Sequence, residues 1–359
     1  MFKHDIIRMD GSAMTKENPG GADEYLGWQA LVRKYQQPDL RKSIWQLITS
    51  FGGFFLSLIL MSFSLRAGYW LTLLLAFPAA GFLVRIFIIQ HDCGHYSFFK
   101  SRKANDIVGI ISSLLTFVSY RYWRKCHAIH HAHHAELEER GIGDVWTLTV
   151  DEYWEAAWWK RLAYRIFRNP LFLFGIAPAI NFIILERFPL HAEKQWRTGE
   201  HAGIWLTNVA LIAWIGTVAI LIGVGKTVMI LLPVILIAAS AGTWLFYVQH
   251  QFEHTYWEHS PEWNYTLAAL HGSSYYKLPG VLQWFTGNIG FHHIHHLSPR
   301  IPNYHLEACH KENPLFQRVV ELTLRSSFKT VRFTLWDEEQ KRLVTFKEGL
   351  MTKRNAVTS

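Results

Sequence analysis

Cysteine is scarce in this chain. Among 359 residues there are three, Cys93, Cys126 and Cys309. No two share a CxxC spacing, so neither a disulfide framework nor a zinc finger is indicated, and all three read as small packing residues. No CxxCH occurs, which removes covalently attached haem. No GxGxxG occurs, so the chain carries no nicotinamide or flavin fingerprint of its own. Charge is also thin: Asp, Glu, Lys and Arg make up 18% of the residues, below the roughly 25% usual in soluble domains. Residues 1–10 lack the apolar core of a cleaved signal peptide, so none is expected. No repeat of fixed period is visible.

Apolar and aromatic residues are abundant. Half of the chain is hydrophobic, with 16 Trp and 24 Phe. The formal charge of +8 fits either nucleic acid or an anionic membrane surface. Long apolar runs, with no groove of interleaved aromatic and basic residues, favour the membrane. Residues 47–65 and 69–89 are each about the length that crosses a bilayer, roughly 20 residues. Residues 203–223 and 227–249 form a second such pair. Residues 107–118 are too short to span. Residues 171–189 are a poor span because they contain Pro178, Asn181, Glu186 and Arg187.

The expected fold class is an all-α integral membrane protein. Four transmembrane helices form two hairpins, joined by interfacial helices and capped by a cytosolic domain that holds a two-metal site. The expected organisation is a cytosolic N-terminal arm over 1–45, with an amphipathic approach helix near Tyr25 to Tyr35. A membrane domain follows over 46–313, then a cytosolic tail over 314–359. A small hairpin is expected within 330–347, around Asp337-Glu338-Glu339-Gln340. The turns near Arg66 and Lys226 carry one basic residue each, whereas the opposite side is rich in Lys and Arg. The positive-inside rule then makes that basic side, and both termini, cytoplasmic.

Histidines cluster just beyond the ends of the apolar runs. His91 and His95 are spaced i, i+4. His127, His130 and His131 are spaced i, i+3, i+4, as are His292, His295 and His296. On a helix each set shares one face. His250 and His254 give another i, i+4 pair. A lone histidine is ordinarily a surface or core residue, and His4, His191, His201, His259, His271, His305 and His310 are read that way. Repeated ligand spacings are not explained by packing. Neutral imidazole suits zinc, copper, iron and nickel. The histidines outnumber what one tetrahedral ion can use, so two metals are the natural count. The stretch His127-Ala128-Ile129-His130-His131-Ala132-His133-His134 also satisfies the HxxHH spacing as His130, His133 and His134, and that register stays open. Asp92, Asp144 and Glu253 could each accept the second ring N–H of a ligand histidine. His293 lies off the shared face and could support its neighbours. Trp123, Trp146, Trp257 and Tyr265 read as an interfacial belt or as the walls of a substrate tunnel.

The three boxes HDCGH, HAIHH and HHIHH resemble those of the membrane fatty acid desaturases, whose pattern is HxxxH or HxxxxH followed by HxxHH twice. The resemblance runs over about 47–313. HDCGH, and Asn288-Ile289-Gly290-Phe291 before the third box, look closest to bacterial acyl-lipid desaturases of the delta-12 (omega-6) or omega-3 type. It implies that His91, His95, His127, His130, His131, His292, His295 and His296 bind two non-haem irons. His250 or His254 would match a further ligand before the third box. The register with His127 is preferred, because 141–147 then falls where similar sequences have it. The resemblance also implies O2 as co-substrate, a membrane-lipid acyl chain as substrate, and electrons from a ferredoxin or cytochrome b5-like donor. No residue is catalytic beyond the metal centre. The expected location is a bacterial inner membrane, with no nucleic acid partner.

Two rival functions could use such histidines. One is a hydroxylase or ketolase of the same superfamily, acting on an alkane, fatty acid or carotenoid. The other is a metal transporter or sensor. Transport ligands belong at mid-membrane depth, but the expected spans carry almost no ionisable residue except Arg85.

Overall fold

The computed structural model describes residues 22–190 and 198–358. Residues 1–21 of the expected N-terminal arm, with His4, and also His191 lie outside them. Among the described residues, four helices are long and apolar enough to cross a membrane: Leu40–Ser64, Tyr69–Gly94, Thr198–Ile222 and Val224–His250. At 1.5 Å per residue, 25 residues rise about 37 Å, more than the roughly 30 Å hydrocarbon core. Asp39 starts the first by accepting from the backbone N–H of Arg41 and Lys42. Ser64 and Thr72 join the first pair through their hydroxyls at 2.7 Å. Pro78 and Pro233 sit inside the second and fourth helices, as membrane helices tolerate. The outward faces are apolar. Phe63, Trp70, Phe77, Leu206, Ile212 and Ile220 are all exposed, which in a membrane protein is the lipid-facing surface.

Two shorter segments lie between the hairpins. Arg102–Thr116 is 15 residues long, capped by Ser101, and falls short of a bilayer. It buries Asn105, Gly109, Ser112 and Ser113 and turns Ile107, Ile110 and Ile111 outward. Gly109 is required there, because a Cβ would strike the Tyr120 ring. Residues 171–189 form the second arm of a bent pair, Trp158–Phe167 and Phe172–Arg187, with 63° between the arms.

The cap is helical but carries five short strands among the described residues. β1 (Leu148–Thr149) pairs in parallel with β4 (Leu335–Asp337), and β4 pairs antiparallel with β5 (Arg342–Val344). This β4–β5 hairpin falls where alternation placed one. The Asp337 carboxylate closes its turn by accepting from the N–H of Glu339 and Gln340. β2 (Tyr275–Lys277) pairs in parallel with β3 (Glu321–Thr323). The C-terminal residues therefore complete sheets begun earlier in the chain. At the other end, the approach segment is a short helix, Trp28–Val32, flanked by 3-10 turns. Tyr25, Val32 and Tyr35 are buried against Ile294, Leu297 and Leu306 around the third box.

Candidate metal centre

His91 lies in the last turn of the second long helix, and His95 caps it. Helix Tyr120–His133 carries His127, His130 and His131 and is followed by His134. His250 closes the fourth long helix. The third box is its own short helix, His292–Leu297, with every residue buried. Gly287 and Asn288 aim it by turning left-handed, at φ 52° and 57°. Gly290 must be glycine, since a Cβ would strike the carbonyl of Tyr276.

These elements bring ten histidines into groups whose nitrogens all lie within 4.8 Å of one another. One group is His91, His95, His127, His131 and His295. His130, His134 and His250 form another, and His250, His292 and His296 a third that shares His250 with it. Within the first, the Nε2 atoms of His127 and His131 are 3.1 Å apart, and those of His131 and His295 are 2.9 Å apart. On the other side, His250 and His292 meet at 2.9 Å and His292 and His296 at 3.1 Å. With metal–nitrogen bonds of about 2.0–2.1 Å, neighbouring ligands of one ion sit about 3.0–3.4 Å apart. The nitrogens are thus spaced as ligands of shared ions.

The protonation states agree. Burial, reinforced by neighbouring imidazoles, pushes His95, His127, His131, His292, His295 and His296 well below the ordinary histidine value. Burial brings His134 down to about 3. These rings are neutral at pH 7, so each has one ring nitrogen whose lone pair can ligate a metal. Asp144 holds the His130 Nδ1 at 2.8 Å, which leaves Nε2 buried with no hydrogen-bond partner. The Nε2 of His95 is likewise buried without one. A buried acceptor without a partner costs about 1–3 kcal/mol, and a metal ion would satisfy both. The residues therefore fit a metal site, and the two sides fit two ions.

Comparison with known proteins agrees with this geometry. The fatty acid desaturase family pattern matches residues 67–322. A fatty acid desaturase of Bacillus subtilis is 45% identical over 316 residues, 88% of this chain and 89% of the relative. The chain belongs to the fatty acid desaturase family. More distant similarity extends to a Synechocystis sn-1 oleoyl-lipid 12-desaturase, 30% identical over 64% of this chain and 66% of the relative. It also reaches a chloroplastic omega-3 desaturase of Glycine max, 27% identical over 69% and 55%. This desaturase is thus a membrane oxidoreductase acting on lipid acyl chains.

The desaturase does not gather every histidine that the spacing singled out into these groups. His254 is exposed and outside the groups. The chain leaves the helix at Gln251, at φ −111° and ψ 82°, so the i, i+4 phase from His250 is lost. Glu253 pairs with Arg342 at 3.0 Å rather than with a histidine. His133 is half exposed and pairs with Glu136. His134, from the same open register, does join a group. Its Nε2 faces the Gly272 carbonyl at 2.9 Å, a carbonyl that the His250 Nδ1 also approaches at 3.5 Å. His293 points away and donates from Nε2 to the carbonyl of Phe316. Asp92 lies 3.2 Å from the His91 Nδ1. Its other oxygen accepts from the backbone and side-chain N–H of Asn303. Trp123 stacks on His127 at 4.5 Å.

Proposed function

We propose that the chain is an O2-dependent acyl-lipid desaturase that inserts a cis double bond using two irons. The observation that supports this is a double set of neutral, converging imidazoles at the ends of membrane-length helices. The net reaction removes two hydrogens from adjacent methylenes. Dioxygen, two external electrons and two protons take them up as water. Those C–H bonds are unactivated, and a bound iron pair would supply the oxidising power that side chains lack. His91, His95, His127, His131 and His295 would hold one ion. His130, His250, His292 and His296, with His134, would hold the other.

The chain's own residues orient and seal the site. Asp144 fixes the ring and tautomer of His130, and Asp92 is placed to do so for His91. Burial of the third box keeps water from the rings. The electrons come from a separate ferredoxin or cytochrome b5-like protein, which a basic face attracts. That face, with both termini, is cytoplasmic by its Lys and Arg content.

Expression in a host without polyunsaturated lipids, with an electron donor, tests the reading by fatty acid analysis. A new double bond is expected. The boxes and the distant similarity to a 12-desaturase and an omega-3 desaturase favour delta-12 or omega-3 placement. A hydroxylated or keto product would replace this reading with an oxygen-inserting one.

A further inference from the structure

A cleft of about 570 Å³ lies away from the histidines, between the bent helix pair and the C-terminal segment. Arg165, Arg168, Arg332 and Lys347 line it, with Asn169 and Thr345, and no carboxylate does. Some cations nearby are neutralised: Arg140 pairs with Glu152, Arg342 with Glu253 and Glu348, and Lys353 with Asp151. Four cations gathered without a counter-charge repel one another, a cost that an anion removes.

The position of the cleft says where that anion comes from. Helix Trp158–Phe167 supplies Arg165, and Arg168 caps it. The same helix exposes Trp158, Trp159, Leu162 and Ile166, the apolar and aromatic face of a helix lying in a membrane surface. Phe328 is exposed four residues before Arg332. The cleft therefore lies at headgroup level, where basic pockets beside membrane helices take anionic lipids. Its inner wall is fixed. Arg168 is buried, and its guanidinium donates to the Phe333 carbonyl at 2.7 Å, to Gln251 Oε1 at 3.1 Å and to the Tyr247 hydroxyl at 3.2 Å. Gln251 is the residue after His250, so the wall is tied to the helix end that enters the metal centre.

We propose that this cleft binds the phosphate-bearing headgroup of an anionic membrane lipid. Arg332 and Lys347, both exposed, contact the phosphate, while Arg168 sets the wall. The claim concerns binding and stands apart from the reaction catalysed.

The test uses the full-length metal-loaded protein in zwitterionic bicelles, titrated with fluorescent phosphatidylglycerol. Saturable binding is expected. Arg332→Gln with Lys347→Gln weakens it about thirtyfold, the scale of two cations at an anionic surface. The same charge change at Lys100 and Lys103 leaves it unaltered. Equal weakening in both pairs would mean diffuse charge and overturn the proposal. So would competition by phosphatidylcholine as strong as by unlabelled phosphatidylglycerol. Displacement by inorganic phosphate at equal concentration would also reject the lipid. Iron content and thermal midpoint report folding. If the double variant unfolds, Lys347→Gln alone gives the reading, with about fivefold expected.

Discussion

Asp144 and Glu253 are both acidic neighbours of candidate ligands, yet only Asp144 reaches one. That contrast sets the first expectation. Asp144→Asn keeps the shape but weakens the hold on His130, so iron affinity falls about 10- to 100-fold, the usual effect of removing such a support. Glu253→Gln leaves iron content unchanged, because its partner is Arg342. Iron titration of both variants checks this, and equal loss in the two would refute the assignment. A second pair separates the overlapping registers. His134→Ala lowers the affinity of the ion held by His130 and His250, whereas His133→Ala costs at most about 1 kcal/mol of stability, the value of a surface ion pair. The i, i+3, i+4 spacing exposed most of this centre, since a helix turns such residues to one face. His134 was ambiguous because two histidine sets overlap on one helix. His254 falls outside the groups because the i, i+4 spacing assumes a helix, and the helix ends at His250, four residues short of it.

At the level of elements, the third box depends on backbone shape as much as on its histidines. Gly290 lies under the Tyr276 carbonyl, whose strand neighbours steer helix His292–Leu297. Gly290→Ala must push that backbone away and displace the whole box, so iron binding is lost while the long helices still insert. Wild-type iron content in this variant would show that the box is not positioned there. The cap also carries acid sensitivity. Burial holds His271 and His310 at about 4. Both are neutral in the folded protein and take up protons near pH 6.5 when unfolded. The unfolded state then gains protons first, so stability falls as pH drops from about 6.5 toward about 4. His271→Gln should narrow the gap between melting temperatures at pH 7 and pH 5; an unchanged gap would exclude His271 as a source. The long helices and the β4–β5 hairpin were legible from apolar length and alternation. The parallel pairings of β1 with β4 and β2 with β3 were not, because they join segments far apart in sequence and strands of two or three residues leave almost no pattern.

The whole molecule turns on one parity argument. If the bent pair Trp158–Phe167 and Phe172–Arg187 crossed the bilayer, the two long hairpins would open to opposite sides. His130 would then be parted from His250 by a membrane, yet their ring centres are 4.9 Å apart. The 63° bend and the exposed tryptophans of the first arm agree with a pair that enters one leaflet and returns. The tight turns at Arg66 and Lys226 must therefore share one side, and the basic loops the other. Single cysteines in a background without Cys93, Cys126 and Cys309 make this measurable in intact cells. Arg66→Cys and Lys226→Cys should both react with a membrane-impermeant maleimide from outside. Lys100→Cys and Lys341→Cys should react only after permeabilisation. Labelling of Arg66→Cys without Lys226→Cys would establish a fifth crossing and break the fold that joins the histidine groups. Labelling of all four patterns in reverse would keep the four-helix fold but put the metal centre outside, where no cytosolic electron donor could reach it.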